Sequence, residues 1–509
     1  MRKWAFLAAM ALVGCASDQT MTTASAPAGD CAGLTSAKIK DGKVDAASMV
    51  AATTDMPAYC KVQLTLKPEP GSNIKVEVWL PEKGKWNGKF LGTGNGGAAG
   101  RIRTDALQTG LARGYAVANT DMGTSSGIGG LNYGFGTGNP TLQKDFSYRA
   151  TDGMTLEGKK VTVAYYGQQP KFSYFQGCST GGFQSMEQVH RLPAEYDGVI
   201  AGAPANNRPD LHVVRLWMQW LNLKTPQATV PKEKLALVQR AATAQCDALD
   251  GVNDGIIADP RTCTFNTASL TCQGPERADC LTAEQVKTVQ AINDGPRNPR
   301  TGALIYPGYE RGSEAGIELY WNAPVGPGGA VSTKETLVTW SPKFQSRHGE
   351  FFGFDFDGDL AAAKADLDGI LNYTDPKLAG FQKAGGKLLL YHGWADSLIP
   401  ARGTPNYYEK IAAANGGFAK TQGFARLFML PGVAHCRGGV GPDQFDMLTA
   451  LENWVERGQA PASVLATRPA KPGLPALSRP LCPYPAAARY KGQGDPNDAA
   501  NFTCQAPTA

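Results

Sequence analysis

Gly177-Cys178-Ser179-Thr180-Gly181 has the G-x-S-x-G spacing of a nucleophile elbow, a strand-to-helix turn that holds a serine out for acyl transfer. The flanking glycines suit that chemistry, because side chains two residues away would collide with the serine or with the ester it attacks. The local context agrees: an apolar run, Lys171 to Gln176, precedes the motif, and Gly181 to Arg191 reads as a helix after it. Glycine is common here, with 60 in 509 residues, so the motif alone can arise by chance. A serine nucleophile needs a histidine to take its proton and an acid to orient that histidine, and these partners decide.

In an esterase of this type the partners follow in the order acid, then histidine, each on a loop after a later strand. The chain has five histidines. His190 falls in the helix after the elbow and points away from it, and His212 and His348 lie in a less regular middle region. His392 reads as a satisfied loop or core residue. His435 follows the apolar run Phe424 to Leu430 and the loop Pro431-Gly432-Val433-Ala434, where a general base belongs. The acid is expected just past a strand, and Gly386 to Gly393 (GKLLLYHG) is the most convincing buried strand between Ser179 and His435. Asp396 follows it. Asp355, Asp357 and Asp359 cluster in a polar segment without a strand before them, and a lone Asp is ordinarily a surface turn residue.

The tetrahedral oxyanion requires two N–H donors, one from the residue after the nucleophile, here Thr180, and one from a glycine-rich loop after an early strand. Lys89 to Gly100 (KFLGTGNGGAAG) supplies such a loop, with Gly96 or Gly97 as the second donor. A dinucleotide fingerprint is the competing reading of Gly92 to Gly97; the loop runs on through Ala98 to Arg101 where that motif would open a helix at once. Cys178 precedes the serine and Cys436 follows the histidine. If Ser179 and His435 come within reach of each other, a Cys178–Cys436 disulfide is geometrically feasible. Two free buried thiols, or a Cys178 nucleophile displaced from the elbow apex, are the alternatives.

These elements resemble the tannase and feruloyl esterase family of α/β-hydrolases, which includes mono(2-hydroxyethyl) terephthalate hydrolase. The resemblance rests on Gly177 to Gly182, on Tyr391-His392-Gly393-Trp394-Ala395-Asp396, on Pro431 to Cys436, and on the C-terminal Arg479 to Pro485 and Ala488 to Gly492, and it spans the chain from about Cys31. It implies an α/β-hydrolase core with a large inserted lid, a Ser179, Asp396, His435 triad linked by the Cys178–Cys436 disulfide, and Gly97 in the place of the oxyanion glycine. Together with short spacing, it suggests four further bridges, Cys31–Cys60, Cys246–Cys263, Cys272–Cys280 and Cys482–Cys504. It also favours a structural Ca²⁺ in the lid, held by carboxylates of Asp247, Asp250 and Asp254 and carbonyls of Val252 and Ile256. Hard oxygen ligands suit that ion, although the spacing is not that of an EF-hand. An Asp- and Gly-rich turn without metal is the plain alternative.

Compartment can be read independently. Met1-Arg2-Lys3 is a short basic region, Trp4 to Val13 is apolar but too short to span a bilayer, and Leu12-Val13-Gly14-Cys15 looks like a lipobox. Residues 1–15 are expected to be a lipoprotein-type signal with Cys15 lipidated, and 16–30 a flexible tether to an outer membrane; free secretion is the alternative. Eleven cysteines, one for lipid and ten for bridges, fit an oxidising space. Zinc is disfavoured for want of C-x-x-C pairs and clustered histidines. The formal net charge of +5 is spread along the chain and does not suggest nucleic acid.

The organisation expected is a catalytic domain of residues 31–204 and 379–509, interrupted by a lid of 205–378. Substrate choice should come from that lid. Trp217, Trp220, Trp321, Trp340, Phe344, Phe351 and Phe352 are candidate walls for an aromatic acyl group, and Lys343 or Arg347 could meet a phenol or carboxylate. The expected activity is hydrolysis of small aromatic esters, hydroxycinnamoyl or galloyl. A tethered binding protein that keeps the fold without catalysis is the reading from another class.

Overall fold

Runs of β-branched, leucine and aromatic residues bounded by glycine form the strands of a nine-stranded sheet in the computed structural model, which describes residues 29–124, 130–317, 336–342 and 354–506. In chain order the strands are β1 (Gly42–Val50), β2 (Tyr59–Leu66), β3 (Ile74–Pro81), β4 (Lys89–Thr93), β5 (Ala116–Thr120), β6 (Phe172–Cys178), β7 (Gly198–Gly202), β8 (Lys387–Gly393) and β9 (Ala425–Leu430). Their spatial order is β1-β2-β3-β5-β4-β6-β7-β8-β9. The first three pair antiparallel, β3 pairs antiparallel with β5, and every pair from β5–β4 to β8–β9 is parallel. Parallel strands are covered on both faces, which is why β8 reads Leu388-Leu389-Leu390 without alternation, all three buried.

Helices α1 (Thr104–Ala112), α2 (Ala150–Tyr166) and α3 (Thr180–Arg191) supply those covers. Leu107 and Leu111 of α1 share one apolar cluster with Leu91, Val117, Tyr174, Ile200, Leu389 and Phe428. Val161 of α2 and Phe183 and Met186 of α3 share the other with Phe90, Ala118, Phe175, Val199 and Leu390. This is an α/β-hydrolase fold.

The order reverses at β4. The chain leaves β4 for β5 on one side and returns to β6 on the other. Such a switch point opens a crevice beyond the carboxyl ends of the strands. The glycine-rich loop after β4 and Ser179 after β6 both lie at that end, as do the segments after β8 and β9 that carry Asp396 and His435.

Residues 203–386 connect β7 to β8 and include α4 (Arg208–Leu223), α5 (Lys232–Cys246), α6 (Ala283–Asp294) and α7 (Gly358–Leu371). After β9 come α8 (Met447–Arg457), a small three-stranded sheet that includes Val464–Arg468 and Leu477–Leu481, and a two-stranded ribbon of Ala487–Tyr490 with Phe502–Gln505. All five expected disulfides are formed: Cys31–Cys60, Cys178–Cys436, Cys246–Cys263, Cys272–Cys280 and Cys482–Cys504. Among the described residues no helix is long and apolar enough to cross a membrane. Residues 1–28, including Cys15 and most of the expected tether, lie outside the described residues.

Candidate active site

Ser179 sits between β6 and α3 with φ 65° and ψ −122°, a left-handed conformation that a non-glycine residue adopts only when its surroundings enforce it. The enforcement is visible. The Ser179 N–H donates to the Gly202 carbonyl at 3.0 Å, and its own carbonyl accepts from Phe183 and Ala205. A Cβ on Gly177 would lie 2.4 Å from the Gly181 carbonyl carbon, and one on Gly94 would lie 2.5 Å from the Gly181 Cα. The two glycines of the motif and the first of the β4 loop therefore let three backbone segments cross at Ser179.

His435 follows β9 and reaches back to β8. Its Nδ1 is 2.7 Å from Asp396 Oδ2. Asp396 is 1% exposed and its other oxygen, Oδ1, accepts the N–H groups of Leu398 at 2.8 Å and Ile399 at 2.9 Å. Burial pushes its carboxyl upward, but the His435 charge and the hydrogen bonds from His392 and His435 outweigh that and hold it well below the usual carboxylate range. Burial likewise opposes a charged His435, and the Asp396 carboxylate overcomes it, raising the imidazole above its ordinary value. Nδ1 being committed to Asp396, Nε2 is the nitrogen left for the serine. Ser179, His435, Gly97 and Thr180 line one cavity together, and a larger adjoining groove shares Gly97, Ser179 and His435. The Cys178–Cys436 bridge, with Cα atoms 6.1 Å apart, fastens the chain neighbours of Ser179 and His435.

His392 has a larger part than a satisfied core residue. It is fully buried, its Nδ1 is 2.7 Å from Thr404 Oγ1, and its Nε2 is 3.0 Å from the same Asp396 oxygen that holds His435. Its position four residues before Asp396 at the end of β8 was the signal available in the sequence. His190 turns away from the elbow, its ring nitrogens meeting the carbonyls of Met186 and Asp375. Asp357 pairs with Arg300, while Asp355 Oδ1 accepts the Asp357 N–H and Asp359 Oδ2 accepts the Asp355 N–H at the approach to α7.

Of the expected wall residues, Trp217, Trp220 and Trp340 are described, and none of them lines the cavity. Among the described residues its lining includes Tyr133 and Tyr309, joined by Leu131, Leu211, Leu398 and Ile399, with Arg208, His212 and Arg215 from one face of α4. Trp340 is core: its indole N–H donates to the Tyr133 carbonyl and its ring fills the space a side chain at Gly136 would need. Trp217 and Trp220 stack on each other, centroids 5.3 Å apart, away from both cavities. Trp321, Lys343, Phe344, Arg347, His348, Phe351 and Phe352 lie outside the described residues. Burial, followed by the nearby Arg208 and Arg215 charges, holds His212 well below its normal pKa, so it lines the cavity as a neutral ring.

In the Cys246–Cys263 loop the donor chemistry suits a hard cation, with Asp247, Asp250 and Asp254 within eight residues. Burial first, then the neighbouring Asp254, raises Asp250 to about 6, and Asp254 is raised as well, by burial and by Asp247. These carboxylates also serve the protein itself. Asp247 accepts N–H groups from Asp254, Gly255 and Ile256, Asp250 accepts one from Val252, and Asp254 pairs with Arg479 at 2.5 Å. Among the described residues no group of three His, Cys, Asp or Glu side chains converges as a ready-made metal centre does.

The family model for tannase and feruloyl esterase matches residues 60–505. An uncharacterized esterase of Xanthomonas campestris pv. campestris is 36% identical over 537 residues, covering 95% of this chain and 92% of its own. Mono(2-hydroxyethyl) terephthalate hydrolase of Piscinibacter sakaiensis is 33% identical over 543 residues, covering 91% and 87%. The crystal structure of feruloyl esterase B from Aspergillus oryzae superposes with a TM-score of 0.82 at 28% identity, over 92% of this chain and 98% of that one. Likeness that runs through strands, insertion and C-terminal ribbon alike is descent rather than a shared motif, and the chain belongs to the tannase and feruloyl esterase family as a carboxylic ester hydrolase.

Proposed function

We propose that the protein is an exported serine esterase that cleaves aromatic, feruloyl-type esters through an acyl-enzyme. The observation that carries this is the His435 Nδ1 to Asp396 Oδ2 hydrogen bond of 2.7 Å on a cavity shared with Ser179. Ser179 Oγ attacks the ester carbonyl as His435 Nε2 takes its proton, and Asp396 stabilises the imidazolium. The N–H groups of Gly97 and Thr180 receive the oxyanion. Collapse of the tetrahedral adduct breaks the bond to the alcohol, which leaves with the proton from His435. Water then repeats the sequence on the acyl-enzyme, releasing the acid and restoring Ser179.

An aromatic acyl group suits the tyrosine and leucine lining of the cavity and the names of the relatives, feruloyl esterases and a terephthalate-ester hydrolase. Residues 205–378 act as the lid that selects it. Galloyl and mono(2-hydroxyethyl) terephthalate esters are the alternative substrates. Export is supported by ten cysteines joined in five bridges and by the basic, apolar and Cys15 pattern of the first fifteen residues, which makes Cys15 a lipid anchor to the outer membrane. Calcium in the Asp247 to Ile256 loop would offset the carboxylate repulsion that adds to burial in raising Asp250 and Asp254, a structural role away from the chemistry.

The test is turnover of methyl ferulate, methyl gallate and mono(2-hydroxyethyl) terephthalate by protein lacking the segment through Cys15, beside Ser179→Ala. Turnover that disappears in the variant, with fluorophosphonate labelling of the parent alone, is the expected result. Equal turnover by the variant overturns the serine mechanism. A folded parent that neither turns over these esters nor takes the label revives the binding-protein reading.

A further inference from the structure

The two oxyanion donors come from separate segments, the loop after β4 and the first turn of α3, and something must hold them at a fixed separation. Gly97 has φ 55°, in the region that favours glycine. Its carbonyl accepts a hydrogen bond of 2.6 Å from the Thr180 hydroxyl. The same hydroxyl accepts one of 2.9 Å from Arg208 Nη2. Arg208 is fully buried, and among the described residues its Nε and Nη1 have no hydrogen-bond partner and no carboxylate pairs with it. Its guanidinium carbon lies 4.3 Å from the Phe183 ring centroid and 5.1 Å from that of Phe146. A buried cation without a counter-ion is costly, and ring faces compensate only part of that cost. Its placement one hydroxyl away from the oxyanion donors gives the charge a use, because the reaction develops negative charge there.

Resting on the serine-esterase reading, we propose that the Thr180 hydroxyl and Arg208 form an oxyanion clamp: Thr180 Oγ1 ties the Gly97 loop to α3, and Arg208 orients that hydroxyl and supplies positive potential beneath the developing oxyanion. Arg208 and the Thr180 side chain are positioning groups; the donors to substrate remain the two backbone N–H groups. The Arg208→Thr180→Gly97 direction of donation is fixed, since guanidinium cannot accept and a carbonyl cannot donate.

The clamp is tested with Thr180→Val, Thr180→Ser, Arg208→Met and Arg208→Lys, measuring kcat and KM on the ester turned over by the parent and Ki for phenylboronic acid, whose adduct on Ser179 imitates the tetrahedral intermediate. Thr180→Val lowers kcat about 30- to 100-fold with KM within about threefold, the scale expected when a donor is misplaced rather than deleted. Ki for the boronate rises by a similar factor. Thr180→Ser recovers most of the loss, and Arg208→Met falls about tenfold with Arg208→Lys between it and the parent. The clamp is overturned if Thr180→Val and Arg208→Met keep kcat and Ki within threefold of the parent, or if kcat falls while Ki stays put. Should Thr180→Val fail to fold by circular dichroism, Thr180→Ala and Arg208→Lys carry the same comparison. Turnover by Ser179→Ala equal to the parent would instead sink the underlying reading, and the clamp with it.

Discussion

Replacing Cys178 and Cys436 together by serine removes the disulfide that ties β6 to the loop after β9, without leaving a stray thiol. The bridge closes a loop of 258 residues. Chain-entropy scaling for a loop of that size gives about 5.5 kcal/mol of stabilisation, at the top of what native disulfides contribute. Unfolding entropy for 509 residues is on the order of 1 kcal/mol per degree, so Tm should fall by roughly 5 °C. The eight-residue Cys272–Cys280 loop is the internal control: the same scaling gives about 2.5 kcal/mol, and it contributes no residue to either cavity at Ser179. Calorimetry paired with steady-state ester hydrolysis separates the two roles. The Cys178→Ser/Cys436→Ser protein should lose Tm and also about 10²-fold in kcat through misaligned reacting groups, whereas Cys272→Ser/Cys280→Ser should lose about half as much Tm and keep its kcat. A Cys178→Ser/Cys436→Ser protein with parental Tm and kcat would refute the idea that the bridge holds the site together.

Because Asp396 raises His435 above 6.5, and only the neutral imidazole can act as base, kcat/KM should climb with pH through an apparent pKa above that value, and Asp396→Asn should shift the limb downward while cutting kcat about 10⁴-fold. The same pair shapes stability: the raised His435 contributes fully below 6.5 and less as pH rises through its folded pKa, while the depressed Asp396 contributes above 3.8 and less as pH falls through its own, so urea midpoints should lose this contribution outside that window. His392→Ala deletes one of the donors to Asp396 Oδ2, and a fall in kcat of about tenfold with KM unchanged is expected; a parental pH profile and kcat would show the contact to be packing alone. Calcium should raise Tm, EGTA should lower it, and Asp250→Ala should abolish the difference with kcat intact; since Asp250 sits at about 6, the effect should weaken as pH drops below that value.

What could be read from the sequence was what chain neighbours decide. An elbow is specified by glycines two residues either side of Ser179, a buried parallel strand by the leucine run before Asp396, and a base loop by the strand before His435. Each is a local pattern, and chain order did the rest. The tertiary structure decided what depends on distant segments meeting. The spacing of His392 four residues before Asp396 hints that they meet, but only the fold shows that His435 shares the same carboxylate oxygen, and nothing near Arg208 says that it will reach Thr180. Trp217, Trp220 and Trp340 read as substrate walls because aromatic character signals burial without saying against what; Trp340 fills the space over Gly136, and Tyr133 and Tyr309 line the cavity. Periodicity and spacing fix which face of an element is apolar. Only the packing of β4 between β5 and β6 fixes which side chains that crevice collects.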